Sequence, residues 1–304
     1  MLPPRVILAA LDFSAGAEAA LVRAMALAAR SDADLHIVHA VPSSDADHEA
    51  DSMLRVRLER HVADVLGLEV GEGHPSVQLW FAIVHGPSVT AAIMRHAKRI
   101  QADLLVLGTH GRSGSRLLVG NVTEACVAAA PCPVLTVPPE AEIHELSPVA
   151  PVLVAVDFGD LSRVALAVGR EKAALYGAEL ECVHVVRDAG PFTGLVPSVL
   201  DLEAVDPGRA SAVRQRLSRF EADVPETTLV ALGRPSRMIA ALADARGAGV
   251  VVMGTHGRRG VTHAILGSTT GATLERATCA VLTVRGVSHH AALERPARQT
   301  AVAA

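Results

Sequence analysis

Residues 249–271, GVVVMGTHGRRGVTHAILGSTTG, hold the densest group of side chains and glycines suited to gripping an anion. A short apolar run, Val250 to Met253, gives way to a loop carrying Gly254, Gly257 and Gly260. The pattern Ala264-Ile265-Leu266 then reads as helix, and Gly267-Ser268-Thr269-Thr270 sets three hydroxyls one turn into it. Glycine lets backbone amides approach a ligand with no Cβ in the way. A helix start adds unpaired N–H groups and the positive end of its dipole, so strand, glycine loop and helix together make an anion site. A tight structural turn would use the same residues. What favours the chemical reading is recurrence, because GTHGRSG at 108–114 repeats as GTHGRRG at 254–260.

The elements that must position this loop also recur. RVILAALDFSAGAEAAL from Arg5 matches PVLVAVDFGDLSRVAL from Pro151, and ADLHIVHAV from Ala33 matches AELECVHVV from Ala178. HGPSVTAAIMRHA from His85 matches GRPSRMIAALADA from Gly233, and PCPVLTVP from Pro131 matches TCAVLTVR from Thr278. Blocks repeating in one order indicate a duplicated domain. Residues 1–140 read as the first domain, 141–150 as a proline- and acid-rich linker, 151–286 as the second domain and 287–304 as a flexible tail.

Within the first copy, strands are expected at Val6–Leu11, Leu35–Val41, Val77–Val84, Leu104–Leu107 and Val134–Val137. Helices are expected at Gly16–Ser31 (capped by Asp12 or Ser14), Asp47–Leu66, Pro87–Ile100 with proline in its first turn, and Arg116–Ala130. Such alternation predicts an α/β protein of two tandem doubly wound, five-stranded parallel-sheet domains of the Rossmann-like kind, with strand order 3-2-1-4-5. Ligands in such sheets bind past the carboxyl ends of the strands where the order reverses. That point brings Asp12 to Gly108 in copy one and Asp157 to Gly254 in copy two. Residues 187–209, with three prolines before Arg209, form a long connection expected to cover the second site.

Composition narrows the function. Half the residues are hydrophobic, yet there are only one Trp, one Tyr and five Phe, which disfavours base-stacking nucleic-acid binding. A net charge of −4 with no basic block points to neither nucleic acid nor a membrane surface. Four cysteines without metal spacing read as buried thiols, and with neither signal peptide nor spanning segment the expectation is a cytoplasmic protein.

Other polar residues have structural and functional readings side by side. Asp12 and Asp157 suit both a helix cap and a ligand contact. His39 and His184, inside apolar strands, read as satisfied core histidines. His110 and His256 read as loop contacts, for want of a titratable partner nearby. Arg112, Arg258 and Arg259 are placed either to reach phosphate or to lie in solvent. No G-x-S-x-G elbow or HExxH is present.

At the spacing G-x2-G-x9-G-[ST], met by Gly254, Gly257, Gly267 and Ser268, the chain resembles a tandem universal stress protein. The resemblance covers both copies and implies an adenine nucleotide alpha hydrolase-like fold. In the ATP-binding branch of the family it further implies bound ATP or another adenine nucleotide. Carried over, Ala155, Val156 and Asp157 would meet the adenosine, Val185 would border the adenine, and Met253 would join the nucleotide site. Gly254 and Gly257 would lie against ribose and phosphate, with Arg258 beside them, while Gly267, Ser268, Thr269 and Thr270 would hold the phosphates. With no Walker lysine, backbone donors would carry most of that contact. Mg²⁺ would ride on the phosphates, since no carboxylate cluster offers a cage. Copy one retains Asp12, Ala40, Gly108, Gly111, Gly120 and Thr123. It has one residue fewer between Gly111 and Gly120, and Asn121 in place of Ser. The family's habit of dimerising through the last strand implies pairing of Val134–Val137 with Val281–Val284 inside the chain, or a homodimer through those strands. Three functions stay open: a nucleotide-dependent stress-response regulator, a slow ATPase or phosphotransferase, and an interaction module with an empty crevice. Gly267→Val is expected to fill the phosphate space.

Overall fold

A computed structural model of the chain describes residues 3–43, 48–69, 74–109, 119–139, 141, 150–187, 200–221, 225, 227–256 and 266–285. The first half runs β1 (Val6–Ala10), α1 (Ala15–Ser31), β2 (Asp34–Pro42), α2 (His48–Leu66), β3 (Leu79–Gly86), α3 (Val89–Arg99), β4 (Leu104–Gly108), α4 (Asn121–Ala129) and β5 (Val134–Val137). The second runs β6 (Val152–Ala155), α5 (Asp160–Tyr176), β7 (Leu180–Val186), β8 (Leu200–Asp201), α6 (Leu202–Val205), α7 (Pro207–Phe220), β9 (Thr228–Leu232), α8 (Pro235–Arg246), β10 (Val250–Gly254), α9 (Ser268–Leu274) and β11 (Ala280–Val284).

Among the described residues the eleven strands form one sheet in the order β3-β2-β1-β4-β5-β11-β10-β6-β7-β9-β8. Each half carries the expected 3-2-1-4-5 order in parallel pairing. Central strands such as β1 and β10 are almost wholly buried, as continuous Val, Ile and Leu runs require when helices cover both faces. One apolar layer joins α1, α2 and α5 to the sheet and the other joins α3, α4 and α8, each running through both halves. Cys126 and Cys182 lie in these layers, and burial pushes both thiols up to about 12.

The halves meet along the last strands. β5 and β11 pair antiparallel, with Val281 opposite Thr136, Leu282 opposite Leu135 and Thr283 opposite Val134. Both buried threonines reinforce the seam: Thr136 Oγ1–H donates to Val281 O and Thr283 Oγ1–H to Val134 O, each at 3.1 Å. Arg23 on α1 adds a bond from Nη2 to Gly249 O at 3.0 Å. Since β5 and β11 are each paired on both sides within the chain, a homodimer through these strands has no strand edge left to use.

Several boundaries shift for local reasons. Ser14, not Asp12, caps α1 by accepting from Ala17 N–H at 3.2 Å. Pro87 stands outside α3, because Ser88 supplies the acceptor for Ala91 N–H, also at 3.2 Å. The connection after β7 is partly structured: Leu200–Asp201 adds an antiparallel strand to β9, and α6 and the start of α7 follow. Residues 188–199 of that connection, and the tail from Gly286, lie outside the described residues.

Two expectations test this packing. Replacing Thr136 or Thr283 by the isosteric Val removes one seam hydrogen bond and lowers stability by about 1 kcal/mol each in urea unfolding. His96 on α3 is held down to about 4 by burial, with help from the neighbouring Arg99 and His36, against an ordinary value of 6.5. The unfolded chain therefore takes up this proton before the folded one does. Stability is complete above pH 6.5 and declines as pH falls through the window to about 4, by at most ~1.4 kcal/mol per pH unit. Urea titrations at about pH 7 and about pH 5 should show the loss, and His96→Leu should flatten it.

Candidate functional site

In both halves the first strand ends in the same tight turn. Asp157 Oδ1 accepts from Gly159 N–H at 2.9 Å and from Ser162 Oγ–H at 2.8 Å, while Ser162 Oγ accepts from Asp157 N–H at 2.9 Å. Phe158 is thereby held at φ 66°. In the first half Asp12 Oδ1 accepts from Ser14 N–H at 3.1 Å and from Ser14 Oγ–H at 2.5 Å, with Phe13 at φ 62°. The aspartates thus shape the turn ahead of the helix and do not cap it. Next to each, a strand histidine is satisfied: His184 Nδ1 lies 2.7 Å from Val156 O and His39 Nδ1 2.8 Å from Leu11 O. A carbonyl only accepts, so Nδ1 carries the proton in both rings.

The glycine loop is tied down by the residues that follow it. Thr270 Oγ1–H donates to Gly254 O at 2.8 Å, and Gly267 N–H donates to Thr255 O at 2.9 Å. The first half repeats both bonds, Thr123 Oγ1–H to Gly108 O at 2.8 Å and Gly120 N–H to Thr109 O at 2.9 Å. These contacts correct four expected roles: the hydroxyl protons of Thr270 and Thr123 and the amide protons of Gly267 and Gly120 are committed to the backbone. The helices also begin later than the pattern suggested. Gly267 and Gly120 are the caps, so Ser268 opens α9 at its first residue and Asn121 opens α4.

The glycines ending the fourth strands are needed for packing. A Cβ on Gly254 would sit 2.7 Å from Leu161 Cβ on α5, and one on Gly108 would sit 2.5 Å from the carbonyl carbon of Gly16 on α1. Their bare faces admit the first helix of each half, not a ligand.

Around this frame lies a cleft of about 700 Å³ in the second half. Ala155, Val156, Asp157, Val185, Met253, Gly254, Gly267, Ser268, Thr269 and Thr270 all line it. Gly257 and Arg258, and Gly111 in the first half, lie outside the described residues. The lining also includes Ser162, Val183, His184, Val186, Arg187, Pro235, Ile239 and His256. Most of these were missed by motif reading. The block RPSRMI, which opens α8 and falls within the repeat, was the available sign for Pro235 and Ile239. The walls are mainly apolar, and one end is formed by the first turn of α9. There the amides of Ser268, Thr269 and Thr270 precede the helical ladder, and Gly267 has no side chain to cap them. Ser268 is exposed and Thr269 half-buried, so their hydroxyls are available beside those amides. This is donor chemistry suited to an anion. His256 Nδ1 is held 3.0 Å from Thr255 Oγ1. Among the described residues no group of three or more His, Cys, Asp or Glu could hold a metal ion.

In the first half Asp12, Ala40, Gly108, Gly120, Asn121 and Thr123 occupy the corresponding places at the ends of β1, β2 and β4 and the start of α4. By alignment of the repeats, Pro42 stands where the second half has Arg187, Ala17 where it has Ser162, and Val122 where it has Thr269. A separate cavity of about 260 Å³ sits between the halves at the opposite strand ends. Its lining includes Pro3, Pro4, Leu104, Val168 and Lys172, with burial holding Lys172 down to about 8. It offers no helix start or converging amides.

Fold, duplication and glycine-loop cleft together define the class. The sequence profile of the universal stress protein family matches residues 4–138 and 149–285, and the chain belongs to that family. A universal stress protein of Mycobacterium tuberculosis strain H37Rv is 33% identical over 189 residues, which cover 61% of this chain and 62% of that relative's length. A universal stress protein of Mycolicibacterium smegmatis is 28% identical over 294 residues, covering 92% of this chain and 96% of its own. The crystal structure of a universal stress protein from Archaeoglobus fulgidus superposes with a TM-score of 0.61 at 17% identity, over 91% of this chain and 97% of that one, a likeness of fold.

The geometry revises the effect of one substitution. A Cβ at Gly267 would meet Thr255 O at 2.8 Å, so Gly267→Val pushes the loop off the helix start instead of simply filling the cleft. It should cost about 1–3 kcal/mol in thermal or urea unfolding, whereas Ser268→Ala should leave stability unchanged.

Proposed function

We propose that the protein is a nucleotide-dependent stress-response regulator whose second half binds ATP or another adenine nucleotide. The observation that carries this reading is one cleft uniting the second-half glycine-motif residues with the uncapped start of α9. Its volume of about 700 Å³ falls in the range of small-molecule sites. The amides of Ser268, Thr269 and Thr270, with the hydroxyls of Ser268 and Thr269, would take the phosphates. The apolar side chains Val183, Val185, Ile239 and Met253 would take the base. Mg²⁺ would be carried on the phosphates.

Regulation is favoured over turnover by how the titratable groups of the cleft are used. Asp157 Oδ1 holds a turn, His184 Nδ1 holds a carbonyl and His256 Nδ1 faces Thr255 Oγ1. A general base for γ-phosphate transfer needs a group poised toward the attacking oxygen; Asp157 Oδ1, His184 Nδ1 and His256 Nδ1 are spent on structure, while His256 Nε2 is buried without a hydrogen-bond partner. The first half, with Asn121 and Val122 opening its helix, is the weaker binder in this reading.

Mass spectrometry of small molecules released from denatured protein should yield an adenine nucleotide, and calorimetric titration should give one strong ATP site. Ser268→Ala should weaken ATP binding by about 1 kcal/mol, roughly fivefold, and leave adenosine binding unchanged. Absence of both a released nucleotide and ATP affinity would overturn the reading.

A further inference from the structure

The halves meet about an approximate two-fold axis, with β5 antiparallel to β11 and Arg30 Nε of α1 donating to Leu175 O of α5 at 3.0 Å. Helices α1 and α5 are each 17 residues long and align residue for residue. Arg23 therefore corresponds to Val168, and Leu27 to Lys172. The strand starts beneath them correspond as well. Asp103 N–H donates to Val6 O at 2.8 Å and Gly249 N–H to Pro151 O at 3.0 Å, so Asp103 stands where the second half has Gly249.

The axis thus relates two places where a helix of one half crosses strand starts of the other, and they are filled differently. Under α1, Arg23 is buried and its Nη2–H donates to Gly249 O at 3.0 Å, while Leu27 is only 1% exposed. Under α5, valine replaces the arginine that plugs the first place. What remains there is the cavity of about 260 Å³, with Val168, Leu104, Pro133 and Leu282 among its walls.

Lys172 lines this cavity in the place of a core leucine. It is half-buried, and loss of water around its amine holds it down to about 8, against an ordinary 10.5. Burial is the one cause acting on that amine, and no carboxylate offsets it. Two acids share the lining, but Asp103 Oδ2 is taken by Arg5 N–H at 3.0 Å and Val6 N–H at 3.1 Å. Glu171, next to Lys172 in the chain, points elsewhere round the helix. A buried ammonium without a counter-charge is costly, and an anion brought to it removes that cost.

We propose that the cavity under α5 binds a small aliphatic carboxylate, its carboxylate paired with the Lys172 ammonium and its alkyl chain against Leu104, Val168 and Leu282. The volume lies below the ~300–1,000 Å³ of drug-sized pockets, which limits the occupant to a short chain. Because the walls come from both halves, the bound acid would also brace the seam. The cavity sits at the opposite strand ends from the nucleotide cleft, and its ligand does not depend on that cleft.

Calorimetric titration of the full chain with hexanoate should give one site, and hexanoate should raise the thermal midpoint. Affinity should rise roughly fourfold per methylene from acetate to hexanoate, and hexanol, which lacks the charge, should bind at least tenfold more weakly than hexanoate. Lys172→Leu and Val168→Arg each install the residue that the other half carries at the same place. Both should weaken hexanoate binding at least tenfold, the first by removing the cation and the second by filling the space. Neither should alter the ATP titration. Absence of hexanoate binding up to millimolar concentration overturns the proposal. Equal affinity for hexanol and hexanoate, or unchanged hexanoate affinity in Lys172→Leu, overturns it equally.

Discussion

Two short hydrogen bonds, Thr270 Oγ1–H to Gly254 O at 2.8 Å and Gly267 N–H to Thr255 O at 2.9 Å, seat the start of α9 on the end of β10. A helix start is useful only if its free amides are aimed, and here the aim is set by backbone contacts that admit no slack. Gly267 must lack a side chain because Thr255 O lies where a Cβ would go, and Gly254 must lack one because Leu161 does. The glycine motif is therefore a packing solution first. Its consequence is a first turn of α9 whose amides open onto a cleft.

The same logic explains the turn at the end of β6. Asp157 spends Oδ1 on Gly159 and Ser162, and His184 spends Nδ1–H on Val156 O, so the floor of the cleft is a closed hydrogen-bond network. Buried polar groups held this way rigidify a site. They leave the cleft with fixed walls.

Duplication gave the chain two such frames and a seam between them. β5 and β11 close each other's edges, so the contact that would otherwise need two molecules lies inside one. The copies differ at several cleft positions, including Ala17 in place of Ser162, whose hydroxyl holds the turn in the second half. Thr123 keeps its bond to Gly108 O as Thr270 does to Gly254 O, while Asn121, Val122 and Pro42 replace Ser268, Thr269 and Arg187. The stitching is shared, and the exposed hydroxyls of Ser268 and Thr269 belong to the second half, where the first has Asn121 and Val122.

Much of this was legible in the order of residues. The five-block repeat, the βα alternation and the 3-2-1-4-5 order follow from periodicity, since buried parallel strands must be continuous apolar runs. The family was legible too, because G-x2-G-x9-G-S is a spacing, and spacing is a property of the chain itself. Roles at the level of single atoms were not. Thr270 and Ser268 are hydroxyl residues two positions apart in the same motif, and only the fold shows that one bonds Gly254 O while the other stays exposed. Pro235, Ile239 and Arg187 join the cleft through β7, β9 and α8, elements brought beside β10 by the crossing order of the sheet and not by nearness in sequence. Sequence alone determined which elements form and in what order. Which donors remain unspent was decided by tertiary packing, because a hydrogen bond is committed only once its partner has arrived.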